Sequence, residues 1–220
     1  MMAHSAPSPI DLLVAARKIA DFADAEGVGA SRSAARVQYD HLGAVLADSV
    51  LQAGLRYASV VRPRVERILV NYPDSANACA LAEIVRKGQA AEFLDWQHPI
   101  KAARFERTVE FICNSGIEHV ADLREQLRND EFCLDLQCIN GIGPKTVDYM
   151  ACLVGIESIA VDRHIRSFAR QVGIQAADYV FLKRVFCFAA DLLSISRREF
   201  DAWVWQRESS KRSSQLSLAF

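Results

Sequence analysis

Long apolar runs are absent from this sequence: although 51% of its residues are hydrophobic, no run reaches the length of a membrane-spanning helix. The opening MMAHSAPSPI also lacks the basic start and apolar stretch of a secretory signal. A cytoplasmic protein with no membrane contact is therefore expected. Cysteines never pair at CxxC spacing. The six, at 79, 113, 133, 138, 152 and 187, sit mostly among apolar residues, which suits reduced core thiols better than disulfides or a metal site. Strand-like alternation, internal repeats and low-complexity blocks are missing as well. So is a surplus of positive charge: the formal net charge is −1, less positive than phosphate contacts alone would lead one to expect of a nucleic-acid binder.

What is present is helical periodicity with short breaks. Residues 10–24 are amphipathic and end at Glu26-Gly27. Leu42, Val45, Leu46 and Val50 form a stripe, and Pro63 opens or kinks a helix through Leu69. Asn71-Tyr72-Pro73-Asp74 reads as a turn, 75–87 as a helix stopped by Gly88, and 90–96 as a short one stopped by His98-Pro99. Phe105, Val109 and Ile112 mark a longer helix. Beyond residue 162 come Ile165, Phe168 and Val172, then 181–192, then about 199–207. The first nine residues and the Ser/Lys/Arg tail read as mobile. An all-α chain follows, and 220 residues suffice for a sizeable core in one domain or two lobes.

Charge is unevenly placed. Residues 162–220 hold ten Lys/Arg against six Asp/Glu, with Arg163, Arg166 and Arg170 at helical spacing, whereas 118–135 hold six acids and two bases. Arg56, Arg62, Arg64 and Arg67 form another basic stretch. Such runs are usually solvated faces, and only clustering on one face would make them a nucleic-acid footprint.

The densest signal is LQCINGIGPKTVDYMACLVGIESIAVDRHI, residues 136–165. Leu134, Leu136 and Ile139 end one helix, Gly141-Ile142-Gly143 breaks it, and Val147, Met150, Ala151 and Val154 restart the period. The two glycines admit positive φ and leave backbone amides uncovered, while Pro144 suits a first helical turn. Amides at a helix start bind phosphate, and such contacts anchor without reading sequence. Gly141, Ile142, Gly143 and Thr146 are the candidate backbone-binding residues. Lys145 falls in the first turn, where the helix dipole favours the neutral amine that a nucleophile needs. Lysine is scarce, six against twenty arginines, although a solvated surface lysine is the ordinary reading. Asp162 has the context of a helix N-cap. A capping carboxylate held ionised by amides can also steady a cationic sugar.

GIGPKT followed by AVDRHI resembles the helix-hairpin-helix, Gly/Pro-rich loop and aspartate signature of the endonuclease III superfamily of DNA glycosylases. The match is strong over about residues 134–172, and members with this lysine are bifunctional glycosylase/AP lyases. The resemblance implies that Lys145 attacks the sugar C1′, assisted by Asp162, expelling the base and forming a Schiff base that undergoes β-elimination. It implies two helical lobes, residues 34–153 ending in the hairpin and residues 1–33 with 154–220, and a cleft between them that receives a flipped base. The partner would be double-stranded DNA with a damaged base or abasic site, bound by a monomer associated with the nucleoid. Two departures stand out. Val147 replaces a common alanine, and only Cys187 follows Asp162, so neither the iron–sulfur cluster of endonuclease III nor any other cofactor is expected.

Gln52 lies where the superfamily carries its wedge loop and is the candidate duplex wedge. Tyr39, His41, Trp96, His98, Trp203 and Trp205 could each stack on a base, and the sequence assigns no pocket among them. Three readings stay open: the bifunctional enzyme, a monofunctional glycosylase in which Lys145 only contacts phosphate, and a non-catalytic scaffold that keeps the hairpin alone.

Overall fold

A computed structural model describes residues 8–28, 37–175 and 178–217. Among them every regular element is helical. None of these helices is long and apolar enough to cross a membrane. The chain divides into two compact units, Val37–Ile156 and the pair Met1–Arg36 with Glu157–Phe220.

The unit Val37–Ile156 is built around α2 (Leu42–Leu51), whose ten residues are all buried. A helix buried on every side is a central one. It packs against α3 (Arg62–Asn71), α6 (Pro99–Asn114) and α9 (Pro144–Leu153). Its start is fixed by His41, whose Nδ1 accepts from the Ala44 amide at 3.1 Å while Nε2 meets the Tyr72 carbonyl at 2.9 Å. That ring is a structural cap and not a stacking platform. Gly43 is required by close approach, since a Cβ there would lie 2.8 Å from the Ser75 carbonyl oxygen and 2.9 Å from the Phe93 ring.

Between these elements the expected boundaries shift. A π-helical turn, Tyr57–Val61, precedes α3, and the expected turn at 71–74 is a 3₁₀ segment, Pro73–Ala76. The helix expected from residue 75 therefore begins later, as α4 (Ala78–Arg86), because Asn77 caps it by accepting from the Ala80 amide at 2.9 Å. After the short α5 (Ala90–Phe93) and α6 comes α7 (Val120–Gln126), unforeseen in the acidic stretch. It is started by Asp122, which accepts from the backbone of His119 at 2.8 Å and Glu118 at 3.0 Å.

In the other unit α1 (Pro9–Ala25) begins with a reciprocal cap between Ser8 and Asp11 and packs on α11 (Tyr179–Leu192), while α10 (Arg163–Gln171) packs on α12 (Arg197–Ser217). The tail expected to be mobile thus continues as helix to Ser217. Ile19, Phe168, Phe186, Phe200 and Val204 are fully buried in one core. Phe168 meets Trp203 edge-on at 5.7 Å, so Trp203 is core and not a free stacking surface.

Candidate functional site

The glycine turn and its lysine lie in the unit Val37–Ile156. Helix α8 (Asp130–Gln137), capped by Asn129, runs into a turn that reverses at Gly141 and leads to α9. Gly141 has φ +87°, a left-handed conformation open mainly to glycine. Gly143 does not share it. Its φ of −104° is ordinary extended backbone, and a Cβ there would meet nothing within 4 Å, which corrects the expectation of positive φ at both glycines. Two candidate anion donors are engaged inside the turn: the Ile142 amide donates to Ile139 O at 2.9 Å and the Thr146 amide to Gly143 O at 2.9 Å. The side chains of Ile142 and Thr146 are buried.

Arg104 holds the turn from outside. Its Nε donates to the Asn140 carbonyl at 2.9 Å, and its guanidinium lies so close to Gly141 that an added Cβ would be 1.8 Å from Nη2. One turn earlier on α6, Lys101 donates to Val50 O at 2.8 Å, Leu51 O at 3.1 Å and Ala53 O at 3.0 Å, capping the C-terminus of α2. Burial, and secondarily the Arg104 charge, push the Lys101 amine down to about 8. Helix α6 therefore pins two loops with two cations three residues apart. Neither was singled out in the sequence, where a Lys and an Arg in a helix give no sign of such distant partners.

Lys145, half-buried, occupies the second position of α9. Its ammonium donates to Gln52 Oε1 and stands over the Tyr149 ring, 5.0 Å from the centroid. The structure thus brings together Lys145 and Gln52, 93 residues apart. Gln52 is the C-terminal cap of α2, half-buried, with its Nε2 3.4 Å from Ser49 O.

Beneath this pair lies a group that the sequence reading overlooked. Asp48 is fully buried within α2 and accepts from three tyrosine hydroxyls, Tyr149 at 2.9 Å, Tyr39 at 3.0 Å and Tyr57 at 3.3 Å. Burial, and then the Asp48 charge, push the hydroxyls of Tyr39 and Tyr57 above their ordinary range, so both remain donors. The signal was available: one carboxylate in the otherwise apolar LGAVLADSVL must find partners.

Asp162 lies in the other unit, half-buried at the start of α10. Its Oδ1 accepts from the His164 amide at 2.7 Å and the Ile165 amide at 3.0 Å, so the capping reading is satisfied. Both bonds end on one oxygen, and Oδ2 takes part in neither. His164 behind it is buried and meets the Trp205 ring edge-on at 6.1 Å. On the same helix Arg163 and Arg170 are exposed.

Most of the other basic stretch has internal work. Arg64 donates to Asp95 O at 2.8 Å and lies 5.1 Å from the Trp96 ring centroid, while Arg67 donates to Glu92 O and Phe93 O. Arg62 pairs with Glu66 at 3.6 Å. Arg64 and Arg67 thus tie α3 to α5 and the residues just after it, and are not open phosphate contacts. No protein-family model, no curated protein and no solved structure matches this chain.

Proposed function

We propose that this protein is a base-excision DNA glycosylase with AP lyase activity, with two helical lobes and the α8–α9 segment as its helix-hairpin-helix. The observation that carries the reading is the lysine amine at the second residue of α9, directly after the left-handed turn at Gly141. A helix start favours an anion and offers amides to it. With Ile142 and Thr146 engaged in the turn, the phosphate falls to the amides of Gly141 and Gly143. Their phosphate contacts would set the register of the duplex and leave its sequence unread.

The chemistry then divides between two groups. Asp162, held in place by its two amide bonds, steadies the positive charge that develops on the sugar as the C1′–base bond breaks. The Lys145 amine attacks C1′ and the base departs with the bond's electron pair, leaving an aminal; the C1′–O4′ bond then breaks as the nitrogen lone pair forms the iminium, and O4′ takes up the proton that the amine gives up. Removal of a C2′ proton then expels the 3′ phosphate. No protein metal or cofactor enters any of these steps.

Borohydride reduction tests this directly. Lesion or abasic duplex should become covalently attached to the wild-type protein and not to Lys145→Gln. Asp162→Asn keeps the capping oxygen, so it should melt near the parental temperature and bind DNA normally while base release falls roughly 10²-fold or more, as when a charge-stabilising group is lost. Base release without any adduct would instead favour the monofunctional enzyme, a reading that gains some support from the engagement of Lys145 with Gln52.

A further inference from the structure

The charge at Asp48 needs a reason beyond folding. A carboxylate with 0% exposure costs free energy even when its hydrogen bonds are made, and an apolar residue of similar size would fill the middle of α2 without that cost. Three hydroxyls are instead committed to it. One of them, that of Tyr149, belongs to the ring over which the Lys145 ammonium stands. Lys145 and Tyr149 are four residues apart on α9, the spacing at which helix side chains meet. Asp48 and Gln52 are four apart on α2, joined by the Gln52 N to Asp48 O bond at 2.9 Å. Two helical turns thus face each other, each supplying one residue that touches the amine or its support.

We infer that the last turn of α2 positions the Lys145 amine: Gln52 Oε1 accepts from it directly, and Asp48, through the Tyr149 hydroxyl, fixes the aromatic face on which it rests. This deepens the proposed lyase reading and rests on it. A ring face attracts an ammonium, and a hydroxyl hydrogen-bonded to a carboxylate makes that face more electron-rich and stops the ring from turning away. Four rotatable bonds otherwise leave a lysine amine without a fixed address. Lys101 completes the device by holding the carbonyls of Val50, Leu51 and Ala53, so that the residue between them, Gln52, keeps its place. Gln52, Tyr149 and Asp48 are positioning residues here, since only Lys145 forms a bond.

Two readouts on the intact protein separate this inference from the reading beneath it. Reductive ¹³C-dimethylation keeps the charge of all six lysines, and Lys145→Gln identifies the Lys145 resonance. A ring-current displacement of that resonance should be present in the wild type and in Tyr149→Phe, and lost in Tyr149→Leu. Borohydride-trapped adduct formation at saturating abasic duplex should slow roughly tenfold in Tyr149→Leu, as expected for loss of a partly buried cation–π contact, with duplex affinity unchanged and most of the rate restored by Tyr149→Phe. Gln52→Ala, at a half-buried surface position where folding is not at stake, should slow the same step without weakening duplex binding. Parental rates in both Tyr149→Leu and Gln52→Ala would overturn the positioning role while leaving the lyase reading intact. A displaced resonance in a wild-type protein that forms no adduct would sink the lyase reading, and the reactive role of this seat with it. Weaker duplex binding by Gln52→Ala at an unchanged rate would make Gln52 a wedge instead.

Discussion

Gly141 and Gly143 stand two residues apart and answer to different demands. At Gly141 the backbone is left-handed and the Arg104 guanidinium occupies the space of a side chain. Gly141→Ala should therefore cost about 1–2 kcal/mol in backbone strain alone, and it must also push Arg104 off the Asn140 carbonyl. At Gly143 neither constraint applies. Gly143→Ala should melt at the parental temperature yet bind damaged and undamaged duplex about equally less well, because its new methyl group would stand in the path of a phosphate. Thermal melts and duplex titrations of the two variants check this pair, and a large melting shift in Gly143→Ala would place its effect in folding. The sequence made the need for glycine legible but not which glycine. Turn chemistry is local, whereas the Arg104 contact arrives from 37 residues away. Asp162 was legible as a cap, and Lys145 as a first-turn lysine, because both depend on neighbours within four residues. Asp48 with Tyr149, 101 residues apart, depends on how α2 meets α9, which no periodicity reveals.

At the scale of elements, caps decided where the sequence reading erred. α4 starts at Asn77's cap and not at Ser75, and α7 hides in a polar stretch whose one marker is Asp122 three residues after His119. The long amphipathic elements α1, α6 and α11 were legible from their apolar period. The loops between them were not, because what fixes the α2 C-terminus is a lysine on α6. That lysine also supplies a pH test. Burial and Arg104 lower the folded-state value of Lys101 to about 8, from 10.5 in the unfolded chain. Between these values the unfolded state binds more protons, so the stability contributed by Lys101 rises with pH across this window and is flat below it. The wild type should accordingly gain stability relative to Lys101→Met between pH 7.5 and 9.5, measured by urea titration of both proteins. Partial exposure of the amine keeps the gain small, and a difference that shrinks with pH would mean that the three carbonyl bonds favour the charged form more than burial opposes it.

For the whole molecule, the two units differ in connectivity and in charge. Residues 37–156 are contiguous and hold α2 against α3, α6 and α9, so the helices that pack most closely on the central helix are present in that segment. The other unit closes only by bringing α1 to α11 across more than a hundred residues. Fragment 37–156 should therefore show a cooperative thermal transition alone, whereas fragment 157–220 should lack one until a peptide spanning residues 8–28 restores α1. On the proposed reading, charge sets what the first fragment can do with DNA. Residues 37–156 carry twelve Lys/Arg against sixteen Asp/Glu, whereas residues 157–220 carry ten against seven. Backbone amides at the glycine turn can hold a phosphate, but they release few counterions by themselves, and the net negative unit around them repels the duplex. Fragment 37–156 should thus bind duplex more weakly than the full chain, and log K against log salt should be shallower, because the basic side chains of residues 157–220, Arg163 and Arg170 among them, are gone. Equal slopes in fragment and full chain would place all the phosphate contacts within residues 37–156 and remove the exposed arginines of α10 from the DNA footprint.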